Sequence, residues 1–448
     1  MRIDDTAKTI QGMMDRLRGV VYSRNLAFSA LRLVFLKYAL DNYIGATSKE
    51  DMQQCVRAQK MFAMRDVVNG IDVVVPVLRY IDRAYGMDDI LSSAENIDEY
   101  AHELFGVDRL RQKKNASEDG FRALIEYIGS LDFEEDSEQN VGKMLVDFLL
   151  SIIDSTSWKN SFSAENVTNH SVCLLAKELL NIQPNDCFVD FASGTGVSSV
   201  VICGDAAPEI RNAEINRVNA AASAMLYIMR GYKRFHISCV DSIADLAYET
   251  QGNKLFVDPP VAARVERNIY NEYSDSTLAS LNRIMHEYLT RDGEAIMVAP
   301  SGVLFQSKPQ AVSLRNELVE LGMVKAIIAL PPMWASTSIN TNLIYISKKE
   351  MPTSDVLFID ATRLAKSVRN RNTLGNTLSQ EAIGQIADAA KTCKSIEGFS
   401  RLVNQDELRK NNYNLVPATY VEAPVEQDNT TIEEVNSQLA ELYRQLME

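Results

Sequence analysis

The spacing of hydrophobic residues divides the chain into two parts that meet near residue 155. In the first part apolar residues recur at helical spacing, as in Leu31, Val34, Phe35 and Tyr38, and strand-like alternation is scarce. In the second part short, β-rich apolar runs alternate with amphipathic segments. These runs predict strands at 187–190, 212–215, 235–238, 255–257, 295–298, 326–330 and 343–346.

Alternating strands and helices are typical of an α/β protein with a largely parallel, doubly wound sheet, whose ligands bind at the carboxyl ends of the strands. Helices are predicted at 141–153, 217–229 and 278–289, among others. We expect a helical domain over 1–155, an α/β domain over 156–405 and a carboxyl-terminal segment over 406–448. In that last segment Ile432, Val435, Leu439, Leu442 and Leu446 form a short coiled-coil seam, which predicts a partner helix.

Charge and cysteine content narrow the functional classes. The formal net charge of −14 makes the chain a poor DNA binder by itself, because neutralising phosphates supplies most non-specific affinity. The six cysteines and four histidines show no metal-ligand spacing, so we expect free thiols in a reducing cytoplasm and no metal site. No apolar run is long enough to span a membrane, and the residues after Met1 do not resemble a signal peptide.

A glycine-rich turn follows the first predicted strand, in the sequence Val-Asp-Phe-Ala-Ser-Gly-Thr-Gly that ends at Gly196. Glycines allow a tight turn and a close approach of the backbone to a ligand. The spacing differs from the GxGxxG of dinucleotide sites, whereas an acid at the strand end followed by GxG is typical of S-adenosylmethionine folds. There Asp190 can order the turn and meet the ammonium group of the cofactor. An ordinary turn between strand and helix is the alternative.

Two further acids lie at successive strand ends. Glu214 ends the second predicted strand, where its carboxylate can accept both ribose hydroxyls, and Asp241 follows the third, where it can face the adenine edge. Each alone could be a surface or capping residue. Three acids at three neighbouring strand ends strengthen the interpretation as a cofactor site.

The fourth predicted strand ends in Asp258-Pro259-Pro260, and the two prolines fix a rigid turn. In amino-methyltransferases an Asp or Asn here and the following backbone carbonyl accept hydrogen bonds from the target amine. This aims the nitrogen lone pair at the methyl group, so positioning does most of the catalysis. A target base in duplex DNA would have to be flipped out to reach such a pocket.

These motifs resemble those of the modification subunits of type I restriction systems, which are adenine-N6 DNA methyltransferases, and the resemblance extends over nearly the whole chain. It implies a Rossmann-like S-adenosylmethionine-dependent fold. It also implies partners: a DNA-reading specificity subunit, a second copy of the chain and, in some complexes, a restriction subunit. The implied catalytic residues are Asp258, Pro259 and Pro260. The implied cofactor-binding residues are Thr168, Asp190, Ala192, Gly194, Thr195, Gly196, Glu214 and Asp241.

The sequence departs from that family mainly around the target base. Val261 stands where an aromatic residue usually stacks on the flipped base, an interaction worth about 1–3 kcal/mol. The stretch between Val261 and the next helix, near Thr277, is shorter than the family's loop. Thr168 lacks the usual aromatic and proline neighbours, although it can cap the following helix. A pseudo-methyltransferase that scaffolds a complex, and a methyltransferase acting on RNA or protein, are therefore alternatives.

Basic residues in the presumed loops on the catalytic side could contact DNA phosphates. Ordinary solvated charges are the alternative interpretation. The residues are Arg264, Arg267, Lys366, Arg369 and Arg371.

Overall fold

The computed structural model describes most of the chain between Leu26 and Glu422. The described residues are Thr9, Gly12, 26–64, 70–105, 116–135, 140–154, 167–247, 250–261, 263–269, 271–333, 339–349, 354–370 and 373–422. The predicted boundary near residue 155 and the predicted terminal helix after Pro424 lie outside these residues, as does Arg371. The side chains of Lys366 and Arg369 are also outside the described part.

The described residues before 155 form helices, as the sequence predicts. Their apolar faces pack together, and the first of them, Leu26–Asp41, is buried along almost its whole length. The helices are α1 (Leu26–Asp41), α2 (Lys49–Met64), α3 (Gly70–Tyr85), α4 (Ala94–Phe105), α5 (Ala116–Gly129) and α6 (Val141–Asp154).

Nine strands of the described part of the chain form one mixed sheet. They are β1 (Cys187–Asp190), β2 (Glu209–Ala213), β3 (Phe235–Ser238), β4 (Gly252–Val257), β5 (Leu289–Pro300), β6 (Val324–Leu330), β7 (Thr341–Ser347), β8 (Val356–Asp360) and β11 (Ser400–Val403). Their order in the sheet is β11-β8-β6-β7-β5-β4-β1-β2-β3. Strands β7 and β11 run opposite to the other seven, so the sheet is largely parallel, as predicted. A separate hairpin joins β9 (Ala365–Asn370) to β10 (Thr373–Leu378).

Helices connect the strands. They are α7 (His170–Leu180), α8 (Val197–Cys203), α9 (Arg217–Arg230), α10 (Ser276–Arg283), α11 (Gly302–Phe305), α12 (Pro309–Glu320), α13 (Gln380–Thr392) and α14 (Gln405–Lys410). The helix predicted over 278–289 is confirmed except at its last residue, although it changes from α to π geometry along its length. A π-helical turn over Ile284–Tyr288 follows α10, and Leu289 already belongs to β5. The apolar residues continue through this junction, so periodicity alone could not locate it.

The helices before residue 155 and the sheet share one hydrophobic core. Buried residues of α1 and α6 belong to the same apolar cluster as residues of α9 and β1. Two ion pairs add to this contact. Lys143 Nζ lies 2.7 Å from Asp205 Oδ1, and Arg230 Nη1 lies 3.1 Å from Asp147 Oδ1. The amino-terminal helices therefore support the β1, β2 and β3 side of the sheet, where the acidic strand ends lie.

Among the described residues, no helix combines the length and the apolar character needed to cross a bilayer.

Candidate functional site

A cavity of about 390 Å³ opens at the carboxyl ends of β1, β2, β3 and β4. This is the edge of the sheet at which the sequence predicts a ligand site. Eight of the eleven predicted site residues line it: Thr168, Ala192, Gly194, Thr195, Glu214, Asp241, Asp258 and Pro260. The other three, Asp190, Gly196 and Pro259, are buried and do not line the cavity.

Asp190 orders the turn after β1, as the sequence predicts, but its carboxyl group is fully buried. One oxygen accepts a hydrogen bond from the Ala192 amide at 3.2 Å, and the other accepts one from the Ser198 hydroxyl at 2.7 Å. Burial raises the pKa of Asp190 to about 7; the two hydrogen bonds oppose this, and the charges of Asp258 and Glu214 add to it. Asp190 thus acts on the cavity through the turn.

The glycine-rich turn after β1 has the tight backbone geometry that its glycines predict. Gly194 and Gly196 have φ angles of +53° and +77°, a region that strains other residues. A methyl group added at Gly196 would lie 2.7 Å from Ser223 Oγ and 2.9 Å from the Tyr227 hydroxyl. The turn therefore packs against α9 too closely for any other residue at Gly196.

Glu214 connects the turn to the end of β2. Its carboxylate accepts hydrogen bonds from the Gly194 amide at 2.9 Å and from the Asn216 amide at 2.8 Å. Burial raises the pKa of Glu214, and these backbone hydrogen bonds oppose the shift. Each carboxylate oxygen can accept a further bond, so Glu214 can still bind a pair of hydroxyls in the cavity.

Asp241 lies in the loop after β3, where one of its oxygens accepts from the Ile243 and Ala244 amides at 3.2 and 3.0 Å. Two buried side chains support this loop from behind. Arg283 donates to the Ile243 and Ala244 carbonyls, and the Tyr288 hydroxyl donates to the Ser242 carbonyl at 2.7 Å. Asp241 lines the cavity, and within the described part of the chain no hydrogen bond occupies its second carboxylate oxygen.

The Thr195 hydroxyl fits a ligand-binding role. It lines the cavity and is 2% exposed, yet its buried hydroxyl has no hydrogen-bond partner among the residues that the structure describes. A buried, unsatisfied hydroxyl costs about 1–3 kcal/mol. A polar group bound in the cavity would relieve this cost.

Sequence reasoning missed two apolar side chains at the rim. Ile215 and Val240 line the cavity and are 66% and 38% exposed. They directly follow and precede Glu214 and Asp241, so an apolar side chain accompanies each acid. Such a pair can cover the two faces of a flat ring, while the acids accept hydrogen bonds from its edge and from attached hydroxyls. Their adjacency to strand-end acids is the signal that could have identified them.

Asp258, Pro259 and Pro260 form the turn at the end of β4, beside the cavity. Asp258 lines the cavity and is partly buried, and Pro259 is buried. The Pro260 carbonyl accepts a hydrogen bond from Ser276 Oγ at 2.6 Å, which anchors the turn to the start of α10. The β4 end therefore presents a carboxylate on a fixed backbone.

The described residues between Val261 and α10, 263–269 and 271–275, include a small hairpin. Residues Arg264 and Asp275 pair at its base, and Asn271, 4% exposed, donates to the Glu266 and Tyr273 carbonyls. Tyr273 is 5% exposed and packs in the core, so it does not replace the missing aromatic at Val261. Tyr270, the other tyrosine nearby, lies outside the described residues. Arg264 is exposed and lines the cavity.

Thr168 lines the cavity, but the prediction that it caps the next helix is wrong. The cap of α7 is Asn169, whose side chain accepts from the Ser171 amide at 3.0 Å. The same side chain donates to the carbonyls of Met333 and Asn376, so Asn169 also fixes this segment against the loop after β6 and against β10.

Comparison with known proteins agrees with this geometry. The profile of the N-6 DNA Methylase family matches residues 156–429. The chain belongs to this family. Its fold is therefore that of the S-adenosylmethionine-dependent methyltransferases, as the sequence predicts.

Curated relatives match over shorter stretches. The chain is 28% identical over 167 residues to the type I restriction enzyme MpnII methylase subunit of Mycoplasma pneumoniae, covering 37% of this chain and 30% of that protein. It is 36% identical over 137 residues to the MjaVII methylase subunit of Methanocaldococcus jannaschii, covering 29% and 23%. The matches thus span less than a third of each relative.

Solved structures match over the whole fold. The type I restriction-modification methyltransferase subunit from Streptococcus thermophilus superimposes with a TM-score of 0.70 at 19% identity, covering 94% of this chain and 99% of that chain. The modification subunit of a putative type I restriction enzyme from Vibrio vulnificus gives a TM-score of 0.57 at 15% identity, covering 90% of this chain and 93% of that chain. At these identities the likeness shows the fold, including the amino-terminal helices.

Proposed function

We propose that this chain is the modification subunit of a type I restriction system, transferring a methyl group from S-adenosylmethionine to N6 of a flipped adenine. The observation that carries the proposal is the cavity in which Glu214, Asp241 and Asp258 meet the unsatisfied Thr195 hydroxyl. Membership of the N-6 DNA methylase family supports the reaction, and the likeness to type I methylase subunits supports the complex.

The residues of the cavity fit the cofactor. Glu214 would accept the ribose hydroxyls, Asp241 the adenine edge, and Ile215 and Val240 would cover the adenine faces. Thr195 and the Gly194 backbone would face the amino-acid part, and the Asp190 turn would hold them in position. When bound, S-adenosylmethionine supplies a methyl group on a positively charged sulfur that leaves as a neutral thioether.

Asp258 and the Pro259 carbonyl would each accept a hydrogen bond from one N–H of the adenine amine, which localises the nitrogen lone pair. The lone pair forms the new N–C bond as the C–S bond breaks and its electrons stay on sulfur. The surplus proton leaves the nitrogen toward Asp258 or water. Because the leaving group is good, holding the amine in line does most of the work.

DNA would reach the cavity past the hairpin at residues 263–275. Arg264 at its base is exposed and lies at the cavity, where it can contact the phosphate beside a flipped nucleotide. The net charge of −14 leaves most of the DNA affinity to a partner. We therefore propose that a specificity subunit supplies the DNA-reading surface and that two copies of this chain, and in some complexes a restriction subunit, join it.

Variants of Asp258 test the reaction in the complex assembled with its specificity subunit. Asp258→Ala should reduce methyl transfer at least 100-fold, measured as radiolabelled methyl incorporation and as N6-methyladenine after DNA digestion. Asp258→Asn should retain a substantial part of the activity, because its amide oxygen can still accept from the amine. Calorimetry should show cofactor binding within a few-fold of wild type for both. Unchanged transfer by Asp258→Ala would refute the catalytic assignment.

The lack of an aromatic side chain at Val261 favours a second candidate function, that of a pseudo-methyltransferase that binds the cofactor or only scaffolds the complex. Tyr273 is buried away from the cavity, so no described tyrosine compensates for the missing aromatic. This candidate predicts complex assembly without transfer to any DNA. Val261→Phe should then restore transfer if only stacking is missing, whereas Val261→Leu, similar in apolar character but without a ring, should not.

A further inference from the structure

A second cavity, of about 420 Å³, lies at the opposite edge of the sheet, and four lysines line it: Lys254, Lys325, Lys349 and Lys391. We call it the lysine cavity. Lys254 and Lys325 lie near the starts of β4 and β6, and Lys349 follows the end of the reversed strand β7. Along β4, Lys254 and Asp258 are four residues apart, or roughly 13 Å at about 3.3 Å per residue. The lysine cavity is therefore separate from the cofactor cavity.

Three of these lysines share a single carboxylate. Glu294, 7% exposed, lies 2.7 Å from Lys254 Nζ, 2.9 Å from Lys349 Nζ and 3.3 Å from Lys325 Nζ. Burial acts to raise the pKa of Glu294, but the hydrogen bonds from Lys254 and Lys349 outweigh it and lower the pKa to about 2. One negative charge thus faces three positive charges at close range.

The lining as a whole stays positive. Four lysines face two acids, Glu294 and Asp186, which leaves a surplus of two positive charges. Both Asp186 oxygens already accept hydrogen bonds, from Asn253 Nδ2 and the Gln183 amide, each at 2.7 Å. Outside the lining, Glu178 lies 3.7 Å from Lys391, with about half of each side chain exposed, so it compensates weakly. Such a concave positive site contrasts with a chain of net charge −14.

We propose that the lysine cavity binds a phosphate group, from a free polyphosphate or from the DNA backbone. Two surplus charges match a phosphate dianion, whereas a carboxylate would neutralise only one. Lys349 and Lys391, with side chains 49% and 48% exposed, lie at the mouth and can turn their remaining N–H donors toward an incoming anion. Lys254 and Lys325 are more buried and pair with Glu294, so their positive charges have fixed positions in the lining.

Pyrophosphate titrations of the full-length protein in phosphate-free and sulfate-free buffer test this site. We expect saturable binding by calorimetry that weakens as salt is raised. Lys349→Gln/Lys391→Gln should bind at least 10-fold more weakly. The matched control Lys233→Gln/Lys308→Gln removes two exposed lysines outside the cavity and should bind within two-fold of wild type. Equal affinities in the two double variants, or no saturable binding at 10 mM, would overturn the proposal.

Glu294→Gln should strengthen pyrophosphate binding, whereas the lysine substitutions should weaken it. Removing this carboxylate raises the surplus charge, so pyrophosphate should bind more tightly and raise the melting temperature more than in wild type. A purely structural ion-pair network predicts a less stable variant with no gain from pyrophosphate, and that result would refute the site. Displacement of labelled pyrophosphate by a short duplex would identify the DNA backbone as the phosphate source. No displacement would identify a free polyphosphate. S-adenosylmethionine affinity reports on the cofactor cavity independently.

Discussion

One buried residue, Asp190, makes the stability of the folded protein depend on pH. Its carboxyl group is fully buried, and that burial outweighs the hydrogen bonds from Ser198 and Ala192. The folded protein therefore holds the Asp190 proton up to a pH of about 7, while the unfolded chain releases it near 3.8. Between these values the folded state binds more protons, so its stability falls as the pH rises.

Asp190→Asn should remove this part of the pH dependence. Relative to wild type, the variant should become more stable as the pH rises from 4 to 8, by roughly 2–4 kcal/mol in the free energy of unfolding, given about 1.4 kcal/mol per pKa unit. Urea denaturation across this range measures the difference. Asn can still accept from the Ala192 amide, so the turn should be retained.

Asp205 provides a control with the opposite sign. A hydrogen bond from Lys143 lowers the pKa of Asp205, so this acid stabilises the fold above its unfolded pKa and loses that effect in acid. Asp205→Asn should therefore lose stability relative to wild type as the pH rises. Parallel pH profiles for wild type and Asp190→Asn would contradict the buried-acid interpretation.

At the level of elements, the connection from β1 to α8 depends on a glycine that cannot be replaced. Gly196→Ala places a methyl group against Ser223 and Tyr227 and forces a positive φ on alanine. We expect a loss of about 2–4 kcal/mol in the free energy of unfolding and weaker cofactor binding, at least 10-fold by calorimetry.

Gly231→Ala separates backbone strain from crowding. Gly231 ends α9 with a φ of +82°, but an added methyl group there would meet no atom within 4 Å. This variant should cost only about 1 kcal/mol and leave cofactor affinity unchanged. Equal effects of the two substitutions would show that the close contact with α9 is unimportant.

Most strands that are buried apolar runs between polar turns were predicted, but β8 (Val356–Asp360), which is also such a run, was missed. Residues 187–190 and 235–238 were predicted with the bounds that β1 and β3 have in the structure. The direction of β7 was not, because an apolar run carries no sign of its orientation. The β9–β10 hairpin and the four-residue edge strand β11 were missed, since their residues include too many polar positions to alternate clearly.

At the scale of the whole molecule, the topology explains why the acids of the site could be predicted. Glu214, Asp241 and Asp258 are far apart in sequence, but parallel neighbouring strands bring their carboxyl ends to one edge. Ile215 and Val240 could have been selected only through their adjacency to these acids, because an exposed apolar residue by itself is common on any surface. The lysine cavity was also missed, since Lys254, Lys325 and Lys349 come together only through strand order and the reversal of β7, and Lys391 comes from the helix α13.

The described chain remains packed up to Val421, which defines a test of the terminal segment. Tyr420 is 2% exposed with its ring centroid 4.4 Å from that of Phe358, and Val421 is 6% exposed. A chain ending at Val421 should therefore unfold within about 0.5 kcal/mol of the full-length protein. If the heptad seam after residue 430 binds a partner helix, this chain should keep cofactor binding but assemble at least 10-fold more weakly with the specificity subunit.

A chain ending at Val416 is the matched comparison, because it also removes the buried Tyr420 and Val421. It should lose about 3–5 kcal/mol in the free energy of unfolding, as expected for removing large core side chains. Analytical ultracentrifugation of each truncated chain with the specificity subunit separates the two effects. Full assembly by the chain ending at Val421 would place the intersubunit contact elsewhere, with the amino-terminal helices as the next surface to test.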